Sequence, residues 1–477
     1  MSSARSTPSF ADLGVPHDLV AALKARDITT PTPIQAATLL DSLAGRDVLG
    51  RGRTGSGKTY AFLLPLVARL SESGRPRRAG KPRALILAPT RELVGQIEQA
   101  LIPLAATAGL TTRTVFGGVG QHPQVQGLRR GVDIVLACPG RLEDLIQQGH
   151  CDLGAVEVTV LDEADHMADL GFLPSVRRLL AATPKSGQRL LFSATLDRGV
   201  NVLVKQFLNQ PVTHEADSAQ SPVSEMDHHV LHVAREQRVP VLVDLTSAPG
   251  RTLVFTRTKH GAKALARQLN RSGVPTVELH GNLSQGARTR NMDSFHAGTA
   301  TTMVATDIAA RGIHVDDIAL VVHADPPSEH KAYLHRSGRT ARAGAAGTVI
   351  TLMTEDQVRD VRDLTRAAGI KPTITRIDGP RHPILTTLAP GERVLVAGGL
   401  GVTAEEPERR SGGGRNRGRS GGQRRSGGQP RSGGQRRSSS GSAAPAGGGN
   451  RNRRRGGQSS SSSGRAHDAA SFSSGRR

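Results

Sequence analysis

Asp47-Val-Leu-Gly-Arg-Gly52-Arg-Thr-Gly-Ser-Gly57-Lys58-Thr59-Tyr-Ala-Phe-Leu-Leu64 runs from a short apolar segment through a glycine-rich loop into an apolar helical segment. Gly52–Thr59 fits the spacing GxxxxGK[ST], and each residue type in it has a physical task. The loop of Gly52, Arg53, Thr54, Gly55, Ser56 and Gly57 brings backbone N–H groups around phosphate oxygens, since glycine permits the close approach. Lys58 reaches the terminal phosphates, and the Thr59 hydroxyl is a ligand for Mg²⁺. A chance match in a glycine-rich chain would not need a helix to open directly after the loop. This one continues as Thr59-Tyr-Ala-Phe-Leu-Leu, as the mechanism demands.

A phosphate loop needs an acid for its metal at the C-terminal end of a neighbouring strand. Val158-Thr-Val-Leu161 runs into Asp162-Glu163-Ala164-Asp165 and meets that need. Asp162 is expected to hold Mg²⁺ through water, and Glu163 to position and activate the attacking water. In isolation the acids would be read as a helix N-terminus offsetting the macrodipole. Their place after an apolar strand and behind the phosphate loop favours catalysis.

Working outward, short apolar runs alternate with helical stretches. Ala84–Ala88, Val132–Leu136, Val156–Leu161 and Leu190–Phe192 read as buried parallel strands, with helices over Glu92–Leu104 and Ala164–Leu180. That alternation predicts a doubly wound α/β sheet. A polar, Pro-broken stretch at 210–225 reads as a linker. A second strand series follows at Thr252–Phe255, Thr276–Leu279, Thr302–Ala305, Leu320–His323 and Thr348–Leu352. Two α/β domains in tandem, 1–209 and 226–375, account for the pattern, followed by an ambiguous extension at 376–408.

The charge divides unevenly. The 477 residues carry 63 Lys+Arg against 41 Asp+Glu, a net +22. In residues 409–477, 17 arginines face the single acid Asp468, so +16 lies in the tail and +6 in the rest. The tail repeats Arg-Ser-Gly-Gly-Gln from Arg419, Arg425 and Arg431 and is too poor in apolar residues to fold, so disorder is expected. A mobile cationic arm of this kind is expected to grip the phosphates of a polyanion without sequence preference. No apolar stretch is long enough to span a bilayer, and the N-terminus lacks a signal-peptide core. Two cysteines, Cys138 and Cys151, make neither a disulfide framework nor a zinc site, so a reducing, cytoplasmic setting is expected. With nine Phe, two Tyr and no Trp, base stacking on aromatic platforms is a poor route to nucleic acid.

No Asn-Lys-x-Asp stretch that reads guanine occurs. Instead Pro31-Thr-Pro-Ile34-Gln35 precedes the phosphate loop, and a Gln amide can donate to and accept from an adenine edge at once.

Taken in order, these segments resemble the DEAD-box RNA helicases of superfamily 2 over about residues 10–375. The resemblance rests on Phe10, Ile28 and Pro31–Gln35, the phosphate loop, Pro89–Leu93, Gly117-Gly118, Pro139-Gly140-Arg141, Asp162–Asp165 and Ser193-Ala194-Thr195. It continues through Val254–Arg257, Gln285 with Arg288, Ala305–Gly312 and His335–Gly344. It implies two RecA-like domains, ATP and Mg²⁺ as cofactors, and RNA as partner. It also implies catalytic roles for Lys58, Asp162 and Glu163, with Arg339 and Arg342 as arginine fingers. Ile28, Gln35 and Asp307 would contact the nucleotide base or ribose. Ser193, Thr195, His335 and Arg336 would couple the ATP site to RNA. Thr90, Arg91, Gly118, Arg141, Arg257, Gln285, Arg288 and Thr306 would line the RNA path. The chain departs from the family's common pattern at Ile28, Gly52, Cys138, His314 and Ala341, none of them a catalytic position. The Arg-rich tail resembles that of the short bacterial RhlE-type branch.

Overall fold

The computed structural model describes residues 8–52, 55–215, 226–310, 315, 317–341 and 347–400. The 409–477 tail and residues 216–225 of the expected linker lie outside them.

The first sheet contains β1 (Val48–Arg51), β2 (Ala84–Leu87), β3 (Thr112–Val115), β4 (Ile134–Ala137), β5 (Val158–Leu161), β6 (Gln188–Ser193) and β7 (Val212–Glu215). Its order is β3-β4-β2-β5-β6-β1-β7, and every pairing is parallel. β2, β4, β5 and β6 are buried along their whole length. Helices cover both faces, which is why these strands read as unbroken apolar runs rather than as alternation. The helix Lys58–Ser73 lies against the sheet through Phe62, whose ring centroid is 5.5 Å from that of Phe192 on β6. Fully burying each such side chain contributes about 2–3 kcal/mol.

The second sheet repeats the architecture with β8 (Met226–His232), β9 (Arg251–Thr256), β10 (Thr276–Leu279), β11 (Thr302–Thr306), β12 (Ile318–His323), β13 (Gly347–Met353) and β14 (Thr373–Arg376). The order β10-β11-β9-β12-β13-β8-β14 is again all parallel. Val254, Val304, Val322 and Ile350 face one side of this sheet, and Phe255, Met303 and Val321 the other. Two tandem parallel α/β sheets flanked by helices are therefore present, as the alternation predicted.

Three expectations change. The single helix over Ala164–Leu180 is two helices, Ala164–Asp169 and Leu173–Ala181. The break falls at Gly171, whose φ of 75° lies in the left-handed region that ends helices. The polar stretch starting at 210 is not all linker, because Val212–Glu215 pairs with β1 as an edge strand. The extension after 375 is built into the second lobe. There Ile377, Leu385, Leu388 and Ala389 join the core, and Arg393 pairs with Asp244. Among the described residues no helix is long and apolar enough to cross a membrane.

Candidate active site

In the first sheet β2, β5, β6 and β1 are neighbours, so the loops leaving their carboxyl ends converge on one rim. The rim collects the phosphate loop after β1, Thr90 after β2, Asp162 after β5 and Ser193 at the end of β6. Gly52 N–H donates to Ser193 O at 3.1 Å, tying two of these ends together.

The phosphate loop requires glycine where it turns. Gly55 and Gly57 have φ of 88° and 90°, and a Cβ on Gly57 would stand 2.8 Å from Gln35 Nε2. Lys58 is buried at the helix start, and its Nζ donates to Gly52 O at 2.7 Å across the loop. Ser56 Oγ is buried without a partner inside the same loop. The Gln35 amide was expected to read a base edge. Here both its ends engage protein, Nε2 donating to Gly57 O (2.8 Å) and Oε1 accepting from Thr32 N–H (2.9 Å). Ile28 packs against the first core. Arg53 and Thr54 lie outside the described residues.

Asp162 and Glu163 are both buried, with opposite charge behaviour. Burial pushes the Asp162 carboxyl up to about 7, with Lys58 opposing and the Glu163 and Asp165 charges reinforcing the rise. Burial also raises Glu163, but His166, Arg339 and Lys58 outweigh it and hold that carboxyl down at about 2. Glu163 has φ 51° and ψ 52°, a left-handed conformation that costs a non-glycine residue about 1–2 kcal/mol. Such strain is found where surrounding structure over-determines a functional side chain. His166 Nδ1 lies 3.0 Å from Glu163 Oε2, a contact that sequence reading missed.

Asp165 and the end of β6 form a closed hydrogen-bond set. Asp165 Oδ2 accepts from Thr195 N–H and Oγ1 at 2.8 and 2.9 Å. Ser193 Oγ accepts from Asp165 N–H and donates to Thr195 O. A shift of either segment moves the other, as the expected coupling role of Ser193 and Thr195 needs.

The second lobe supplies cations and an acid. Arg339 is buried, and its charge acts on Glu163. Arg342 lies outside the described residues. Arg336, 2% exposed, holds Asp307 through both carboxylate oxygens (2.5 and 2.7 Å), donates to Asp325 O at 2.7 Å and stacks 5.1 Å above the Phe255 ring. Asp307 was expected at a ribose; in this structure its carboxylate is paired with Arg336. His335 sits half-buried in the last turn of the helix His330–Ser337.

The residues expected along RNA fall into two groups. Arg91 Nη1 donates to Gln285 Oε1 (2.8 Å) and Arg288 Nε to Glu92 Oε1 (2.9 Å), so these four join the lobes to each other. Thr90 Oγ1 caps the helix Arg91–Thr107. Gly118, at φ 75°, leaves room for the Arg91 guanidinium that any Cβ would strike. Arg141 donates to Val119 O at 3.4 Å. Arg257 donates its N–H to Asp325 Oδ2 (2.9 Å) and Nη2 to Pro326 O (3.3 Å). Thr306 closes β11, directly before Asp307. Glu92 and Asp325, like His166, had no assigned role from sequence.

A cleft of about 810 Å³ opens over Lys58, Thr59, Asp162 and Glu163 on one side and Gln285 and Arg288 on the other. Its donor set fits a triphosphate with a divalent cation. Burial raises the Asp162 carboxyl, and Lys58 and Thr59 line the same cleft; Ser56 Oγ, in the phosphate loop, is buried without a partner.

Comparison with known proteins agrees with this geometry. The DEAD/DEAH box helicase family matches residues 32–203, and the helicase conserved C-terminal domain matches 235–344. The ATP-dependent RNA helicase RhlB of Pseudomonas syringae pv. tomato is 40% identical over 369 residues, covering 76% of this chain and 93% of that protein. The chain belongs to the DEAD-box helicase family. The chloroplastic DEAD-box ATP-dependent RNA helicase 3A of Zea mays is 41% identical over 371 residues, but this helicase-family chain spans only 49% of its length. Among solved structures, S. cerevisiae Dbp5 bound to RNA and ADP BeF3 superposes with a TM-score of 0.68 at 26% identity, covering 77% of this chain and 95% of that one. Mss116p bound to ssRNA and AMP-PNP gives 0.69 at 25%, covering 81% and 84%.

Proposed function

We propose that the chain is an ATP-dependent RNA helicase that couples ATP hydrolysis to local opening of short RNA duplexes. The observation that carries the reading is that Lys58, Asp162 and Glu163 line one cleft with Gln285 and Arg288 of the second lobe, while the charge of Arg339 acts on Glu163. Lys58, Thr59 and Asp162 would hold the triphosphate with Mg²⁺, whose chemistry is to neutralise phosphate charge. Glu163, kept ionised, accepts the proton of the attacking water. Arg339, with Arg342, places guanidinium charge where negative charge develops. Thr90, Arg91, Gly118, Arg141, Arg257, Gln285, Arg288 and Thr306 are assigned to the RNA backbone. Arg91 and Arg288 then exchange partners across the cleft when RNA enters. That Dbp5 and Mss116p, which share this fold, were each solved with RNA and a nucleotide supports RNA and ATP as the ligands.

Removal of the carboxylate tests the reading. Glu163→Gln should retain RNA binding in the presence of ATP while steady-state ATPase falls about 100-fold or more. ATPase at the wild-type rate in that variant would refute the role of Glu163. An RhlE-type placement rests on the tail alone, and the bacterial relatives named RhlB support only the broader family. A cytoplasmic location is likewise part of the proposal, since family membership includes chloroplastic proteins.

A further inference from the structure

His166 has no place in the roles assigned above, yet its surroundings tie it to the reacting centre. It is 5% exposed and stands one turn after Glu163 on the helix Ala164–Asp169. Its Nδ1 is 3.0 Å from Glu163 Oε2, its backbone N–H donates to Asp165 Oδ1 at 3.0 Å, and its Nε2 is buried without a hydrogen-bond partner. With a proton on Nδ1 the ring donates to Glu163 Oε2, while Nε2 meets no hydrogen-bond partner.

Lys58 and Arg339 favour the Glu163 anion through their charge, and the contact from His166 Nδ1 is directed at one carboxylate oxygen, Oε2. Glu163 leaves β5 through a left-handed backbone, so its side chain departs from the rim at an angle the ordinary strand-to-helix path does not provide. We propose that His166 is a positioning residue: its Nδ1–H pins Glu163 Oε2 and thereby fixes the orientation of the carboxylate toward the attacking water. The inference rests on the role of Glu163 proposed above.

Full-length His166→Ala, His166→Leu and His166→Asn, compared beside Glu163→Gln, test it. Asn keeps an N–H donor near the place of Nδ1, and Leu fills the volume with no donor, which decides the question if the Ala variant fails to fold. RNA-stimulated kcat should fall about ten-fold or more in Ala and Leu, as for loss of general-base geometry, and recover largely in Asn. KM for ATP and the RNA concentration for half-stimulation should stay within about two-fold. RNA affinity with a non-hydrolysable ATP analogue should not change. In the nucleotide-free protein, ¹⁵N NMR of the ring should show Nδ1 carrying the proton of a hydrogen bond. Wild-type kcat in His166→Leu while Glu163→Gln is inactive would overturn the positioning role and leave the function standing. Parallel loss of kcat, KM and RNA affinity in all three His166 variants would make His166 a packing residue. An active Glu163→Gln would remove the reading on which the inference rests.

Discussion

Replacing Arg393 by Ala asks whether the segment after the second sheet is part of the fold or lies idly on it. Arg393 Nε and Nη2 meet Asp244 Oδ1 and Oδ2 at 3.1 and 3.0 Å. Nη1 donates to the carbonyls of Ala389 (2.6 Å) and Gly391 (3.0 Å), and Nη2 to that of Leu385 (3.2 Å), so one guanidinium closes the end of the helix Ile384–Leu388. Both charged side chains are about four-fifths buried, at 21% and 20% exposure. The fork geometry and burial place this pair above the ~0–1 kcal/mol of a surface ion pair, at about 1.5 kcal/mol. The carbonyl bonds to a charged donor add about 1.5 kcal/mol after the freed acceptors regain water. Arg393→Ala therefore costs the second lobe about 3 kcal/mol, equal to a drop of about 6–12 °C in its unfolding temperature for a lobe of this size. Calorimetry on the full chain, in which two lobes can unfold in two transitions, reads the lobe concerned. Arg393→Lys should lose roughly half as much, and a cycle with Asp244→Ala should show a coupling of about 1.5 kcal/mol. A fall under about 2 °C in both transitions would refute the reasoning, because 376–400 would then be docked without contributing to stability.

Three other outcomes follow from the same geometry. Gly50 sits beside Phe192 in register, where an added Cβ would fall on the ring that packs against Phe62. Gly50→Val should cost about 1–3 kcal/mol by overpacking and weaken ATP binding by displacing the phosphate loop, read by melting and nucleotide titration. In the second lobe, burial, then the neighbouring His229 charge, pushes His228 down to about 4, and burial, then the Arg336 charge, also pushes His323 well below the ordinary histidine range. The unfolded chain takes up protons below about 6.5 that the folded lobe refuses. Stability should thus fall as pH drops from 6.5 toward 4, by up to about 1.4 kcal/mol per pH unit per histidine. Urea midpoints at pH 7 and 4.5 that coincide would contradict it, and His323→Gln should flatten the slope. Truncation at Pro407 should leave intrinsic ATPase intact but raise the RNA concentration needed for unwinding, chiefly at moderate salt. Equal unwinding with and without the tail across a salt series would reject the arm.

The central strands were legible in the sequence, and of the four edge strands only β10, Thr-Val-Glu-Leu, was. β2, β4, β5, β9, β11 and β12 are covered on both faces, so their apolar runs announce them. β3, β7 and β14 lie at sheet edges and β8 beside one; Thr-Arg-Thr-Val, Val-Thr-His-Glu and Thr-Ile-Thr-Arg carry too little apolar surface to be read. The same reason hid the extension, where a few apolar side chains and one arginine do the docking.

Short-range chemistry was determined by sequence alone. Glycines at the turns of the phosphate loop, an acid pair directly after a buried strand, and a tail with 17 arginines each declare themselves within a few residues. Tertiary structure decided the partners. Arg288 meets Glu92 across 196 positions, Arg393 meets Asp244 across 149, and Arg336 claims Asp307 across 29. Even His166, three residues from Glu163, meets its carboxylate from a short helix that follows a left-handed turn at the end of β5. Spacing can state that a carboxylate and a cation exist. Register, burial and backbone angle determine which oxygen meets which donor, because hydrogen bonds and buried charges respond to ångströms rather than to order along the chain.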